Sequence, residues 1–189
     1  MTEMTDVSEP RLVPFSVPED LLPVYRGTAI EDLLAYHNLD APPRSYETAE
    51  VVVAMCMDNR KRLRVPDRFA YVVRTAGVYL EGLEFQLSFA IGVGGAGAIA
   101  LIGHDYCGMA RVTALREPFV TGLVERAGWS REVAERHYEE SVETFAIDDP
   151  VRSTLRQAHR LAERYPNVPV APLLYRIADG RLYQIRSAS

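Results

Sequence analysis

The run Glu50-Val51-Val52-Val53-Ala54-Met55 is apolar at every position after the first, with no alternation between oily and polar residues. A strand with one wet face alternates, so an unbroken run of this length suits a strand buried on both faces, as in a parallel sheet covered by helices on either side. Phe69 to Val73 and Ile99 to Ile102 read as two further strands of the same kind. Helical spacing lies between and around them. Thr28 can cap a short helix from Ala29 to His37 whose Ile30, Leu33, Leu34 and His37 share a face, and Glu81 to Ile91 carries Leu83, Leu87, Ala90 and Ile91 on one side. The pattern predicts an α/β fold with a central, mostly parallel β-sheet flanked by helices.

From Arg111 onward helices dominate: one ending near Gly128, one from Arg131 to about Ala146 behind the cap Ser130, and one from Pro150 to Tyr165. Asp148 and Asp149 complement the positive end of the last of these, and Pro166 with Asn167 ends it. Val168 to Leu174 then reads as a strand, and the turn Asp179-Gly180 closes a hairpin with Arg181 to Ile185. At the other end, Pro10, Pro14, Pro18 and Pro23 exclude a long helix and favour an extended N-terminal arm, which either frays or lies on another surface. We divide the chain into an arm, 1–27, and a single α/β domain, 28–189. Gly92 to Gly97 satisfies G-x-G-x-x-G, but these glycines close a helix and enter a strand. A dinucleotide loop leaves a strand and opens a helix, so a cap and a close-packed turn are the better reading.

A net charge of −5 argues against nucleic acid, which needs a concentrated basic face. The one basic cluster, Arg60-Lys61-Arg62-Leu63-Arg64, reads as solvated or structural. Apolar stretches such as Phe89 to Ile102 are too short and too rich in glycine to span a bilayer, so no membrane partner is expected. Without a secretory pattern the default location is cytoplasmic, where a lasting disulfide between the two cysteines, 51 positions apart, is disfavoured.

The chemistry gathers in two segments, Cys56-Met57-Asp58-Asn59-Arg60 and His104-Asp105-Tyr106-Cys107. Cys56 and His104 each follow an apolar run and would emerge at the carboxyl ends of parallel strands, where open α/β sheets place their ligands. Two thiolates and one imidazole make a soft donor set suited to zinc. Structural zinc sites close with four Cys or His ligands; with three, the fourth position falls to water or a carboxylate. Asp58 and Arg60, two apart, would share one side of an extended segment, where a bidentate pair keeps the aspartate ionised. His37, His137 and His159 are assigned to surface or packing positions on helices. Tyr106 and Tyr79 are candidates for the pocket wall, while Asp105 is a candidate to accept a proton or to support His104 and reads as exposed.

The motif C-x-D-x-R followed by H-x-x-C-G resembles the β-class carbonic anhydrases. The likeness extends to Val72-Val73-Arg74-Thr75-Ala76-Gly77, similar to that family's R-N-A-G segment, and to Leu174 through Leu182, similar to its closing hairpin, so it covers roughly residues 28–185. It implies a β-carbonic anhydrase-like fold with Zn2+ bound by Cys56, His104 and Cys107. It also implies an Asp58–Arg60 dyad whose aspartate is the possible fourth ligand in a closed state. The implied activity is zinc-dependent reversible hydration of carbon dioxide to bicarbonate and a proton by a zinc-bound hydroxide. Other activities on the same site are hydrolysis of carbonyl sulfide or carbon disulfide, and a non-catalytic homologue acting as sensor or assembly partner. The resemblance further implies a homodimer or homotetramer, with Leu12, Phe15, Leu21 and Leu22 of the arm packed across a partner. Thr75 and Val78 depart from the family's R-N-A-G-N pattern at both asparagine positions.

Overall fold

The structure is a computed structural model that describes residues 9–187. Its strands are β1 (Arg11–Pro14), β2 (Val51–Cys56), β3 (Ala70–Thr75), β4 (Ala98–His104), β5 (Val170–Tyr175) and β6 (Leu182–Arg186). They form one sheet in the order β1-β6-β5-β4-β2-β3. β3, β2, β4 and β5 are parallel, while β6 and β1 add antiparallel strands at one edge. The helices are α1 (Ala29–Leu39), α2 (Glu84–Gly92), α3 (Arg116–Ala127), α4 (Arg131–Phe145) and α5 (Pro150–Arg164).

The unbroken apolar runs follow from two separate cores. Val51, Val53 and Met55 of β2, with Ala98, Ala100 and Ile102 of β4, pack toward α1 and the N-terminal segment. Val52, Ala54 and Cys56, with Ile99 and Leu101, pack on the opposite face against Leu87 and Ala90 of α2 and Ala158 and Leu161 of α5. Every residue of β2 and β4 is buried, and each large aliphatic among them contributes about 1.5–3 kcal/mol of apolar burial. The helix starts follow their caps. Thr28 Oγ1 accepts from Ile30 N at 3.2 Å, and Asp149 Oδ1 accepts from Arg152 N at 2.8 Å one residue before Pro150.

Two expectations change. β3 is the sheet's edge strand, and Tyr71, Val72 and Arg74 are exposed, so its apolarity does not reflect burial on both faces. The N-terminal segment lies on its own chain: β1 pairs with β6, while Phe15 and Leu21 enter the core beside α1. Polar anchors hold it there, with Asn38 Nδ2 donating to Phe15 O at 2.9 Å and Leu22 N donating to Gln184 Oε1 at 2.9 Å. Phe15 and Leu21 are therefore not available to cover a partner. The part of the arm within residues 1–8 lies outside the described residues. The glycine run closes α2 and turns into β4; a Cβ on Gly94 would stand 2.6 Å from both Ala90 O and Tyr71 Oη, which requires glycine. Among the described residues, no helix is long and apolar enough to cross a membrane.

Candidate metal centre

β2 and β4 are parallel neighbours, and Cys56 and His104 are their last residues. Beyond His104 the chain reverses through Tyr106, at φ 52°, and brings back Cys107. The ligand atoms of Cys56, His104 and Cys107 all lie within 4.8 Å of one another, and all three residues are buried. The two sulfurs are 3.9 Å apart. That is nearly twice a disulfide bond, and it matches the edge of about 3.8 Å expected of a tetrahedron with 2.3 Å metal–sulfur bonds.

The imidazole is already oriented. His104 Nδ1 lies 2.7 Å from the Asp105 carbonyl, which only accepts, so Nδ1 carries the proton and Nε2 holds a free lone pair. That Nε2 is buried without a hydrogen-bond partner. Fixing one ring nitrogen on a carbonyl while the other faces a cluster of donors is how proteins present histidine to a metal. The hydrogen bond from Cys107, with the Lys61 charge, drives Cys56 toward thiolate, whereas donation to Cys56 and burial push the Cys107 thiol up. The pair thus holds one proton that a cation would displace. Orphaned lone pair, sulfur spacing and donor softness together fit a zinc-type ion.

Asp58 and Arg60 meet through a turn after β2, not along an extended segment. Arg60 N donates to Asp58 Oδ1 at 2.9 Å, Arg60 Nε to the same oxygen at 2.9 Å, and Nη2 to Oδ2 at 2.7 Å. These bonds hold the carboxyl well below the usual carboxylate range. Arg60 is itself fixed by the Tyr106 carbonyl at 2.9 Å. Asp58 Oδ2 stands 3.8 Å from His104 Nε2, beside the ligand cluster but committed to Arg60.

The basic run is absorbed into the structure. Arg64 N donates to His37 Nδ1 at 3.0 Å, its Nη2 donates to His37 O at 2.6 Å, and its Nη1 pairs with Asp40 at 2.6 Å. Lys61 turns inward and donates from Nζ to Cys56 O at 2.8 Å; burial draws its pKa down to about 8. Neither Lys61's place nor the cleft wall built by Ile147, Pro150 and Thr154 is foreseen from the sequence. The last three come from the start of α5 and the loop before it, over forty positions from His104, and no motif marks them. Gly103 is glycine because a Cβ there would meet Thr154 Oγ1 at 2.1 Å. Val78, at φ 61°, is a β-branched residue in the left-handed region beside Gly77, a strained backbone at the cleft wall.

Other candidates fall elsewhere. Tyr79 is not part of the cleft: its hydroxyl donates to Glu81 at 2.6 Å and its ring packs on Phe145. Asp105 is half-buried and pins the C-terminal loop, accepting from Ile177 N at 2.8 Å, and Tyr106 is largely exposed. His37 is buried, with both ring nitrogens bonded, and His137 packs among Phe119 and Trp129.

Solved structures resemble this chain over most of its length. The β-carbonic anhydrase isoform I of Trichomonas vaginalis superposes with a TM-score of 0.60 at 18% identity, covering 82% of this chain and 92% of that one. A carbonic anhydrase from Streptococcus mutans gives 0.58 at 19% identity, covering 88% and 100%. One from Glaciozyma antarctica gives 0.56 at 19%, covering 85% and 94%. The chain has the β-carbonic anhydrase fold. No protein-family model matches the sequence, and no curated protein matches it either. At such identity the β-carbonic anhydrase likeness is one of architecture, and what this site does rests on its own residues. Thr75 is one of them: its hydroxyl, where the family pattern has an amide, is buried with no partner.

Proposed function

We propose that this chain is a zinc enzyme that interconverts carbon dioxide and bicarbonate, with Cys56, His104 and Cys107 as the metal ligands. The observation that carries the reading is the unpartnered Nε2 of His104 facing two sulfurs, with an ionised Asp58 clamped by Arg60 at its side. Zinc bound by these groups would supply an acidified water as nucleophile near neutral pH. The rest falls to the chain. The Asp105 carbonyl keeps His104 in the tautomer that offers Nε2. Asp58, ionised and therefore only an acceptor, takes a hydrogen bond from the nucleophile and directs its lone pair at the electrophilic carbon. Arg60 keeps that carboxylate ionised and turned away from the ligand position. Water and carbon dioxide become bicarbonate and a proton, and the proton leaves to solvent.

A purely structural or sensory metal site has no use for a clamped, ionised aspartate, which favours the catalytic reading. Metal analysis and carbon dioxide hydration assays of wild type and Cys56→Ser test it, with carbonyl sulfide hydrolysis measured in parallel. Stoichiometric zinc without hydration up to about pH 9, where even unassisted aqueous zinc ionises its water, contradicts the activity.

We propose also that the working form is a homodimer or homotetramer. Phe85, Phe89 and Val93 recur at helical spacing along and just past α2 and are exposed, 79% for Phe85, an apolar stripe suited to a second copy of the chain. Light scattering should give a multiple of the chain mass, and Phe85→Glu should lower it.

A further inference from the structure

Lys61 is the only lysine in a chain with 21 lysines and arginines, and it is 3% exposed. Burying an ammonium costs several kcal/mol unless charge of the opposite sign offsets it. Its hydrogen bond goes to the neutral Cys56 carbonyl, and none of the ion pairs among the described residues includes it. Within electrostatic reach, Cys56, Asp58 and Cys107 favour the ammonium, and one like charge, Arg74, opposes it.

We infer that Lys61 is a positioning residue whose buried ammonium serves as the counter-ion of the metal centre, favouring an anion beside the two thiolate ligands. The inference rests on the metal reading above. Zinc with two thiolates and a neutral imidazole carries no net charge, so an added anion leaves the centre at minus one. Lys61 supplies the balancing charge from behind Cys56, while Asp58 is already balanced by Arg60. The Cys56 carbonyl bond fixes where that charge sits.

Thiocyanate is the probe, followed by the visible bands of cobalt(II)-substituted protein. Wild type should bind it about tenfold or more tightly than Lys61→Met, and Lys61→Arg should recover part of the difference. Equal affinity in wild type and Lys61→Met overturns the inference. A second measurement needs no variant: with one lysine, 15N-lysine labelling yields a single side-chain Nζ resonance. In the zinc-loaded protein that signal should move as thiocyanate is added, and a signal that stays still while the anion binds overturns the inference. Failure of wild type to take up cobalt or zinc contradicts the metal reading itself, and Lys61's counter-ion role falls with it.

Discussion

The sulfurs of Cys56 and Cys107 stand 3.9 Å apart, although the residues lie 51 positions apart and on separate segments. Too distant for a disulfide, they stand at thiol hydrogen-bonding distance, which is also the spacing kept by two sulfur ligands of one tetrahedral ion. Replacing either with serine removes a soft ligand. Cys56→Ser and Cys107→Ser should each drop bound zinc from one per chain to a small fraction after dialysis against a chelator, while circular dichroism keeps its α/β signature.

Metal removal should cost stability as well. An ion that binds only the folded chain stabilises it by about 2.7 kcal/mol at a hundredfold excess over its dissociation constant. Stripping the protein with dipicolinate should therefore lower its melting temperature, and added zinc should restore it. His104→Ala should melt at the same temperature with and without zinc.

Gly103 and Thr154 form a tight contact behind the ligands. A methyl on Gly103 would meet Thr154 Oγ1 at 2.1 Å, and that hydroxyl already donates to Pro150 O at 2.7 Å. Gly103→Ala should destabilise by roughly 1–3 kcal/mol, the usual cost of overpacking. Adding Thr154→Ala should recover part of it, a coupling that denaturant unfolding of the two single variants and the double variant reads directly.

His37 sets a pH dependence. Burial lowers its pKa from 6.5 to about 4, so between these values the unfolded chain binds a proton that the folded chain does not. The stability from keeping His37 neutral is complete above about pH 6.5 and is lost as pH falls toward 4, by up to roughly 3 kcal/mol. Urea unfolding across that range should show wild type losing more stability than His37→Gln by about this amount.

Much of this was legible in the sequence because the decisive residues follow strands whose patterning is unambiguous. Val51 to Met55 and Ile99 to Ile102 had to lie in the middle of a covered sheet, and Cys56 and His104 follow within two residues. Phe69 to Val73 looked the same and is an edge strand, because composition reports apolarity but not whether anything covers it. Tyr79 looked like a pocket residue from its place after Gly77, yet the turn at Gly77 and Val78 sends it to Glu81. Thr154 and Ile147 were invisible, since only the three-dimensional path brings Thr154 against Gly103 and Ile147 against Gly77. Lys61 carried a signal in its uniqueness, but charge runs are usually solvated, and nothing local says that one member folds inward.

The central claim is that Asp58 works beside a metal held by Cys56, His104 and Cys107. Stopped-flow carbon dioxide hydration by wild type and Asp58→Ala, each loaded to the same measured zinc content, tests it most directly. The account predicts turnover in wild type and its loss by at least about a hundredfold in Asp58→Ala, in the range expected for a positioned hydrogen-bonding or proton-handling group. Equal rates in the two proteins, or none in a fully zinc-loaded wild type, would contradict it.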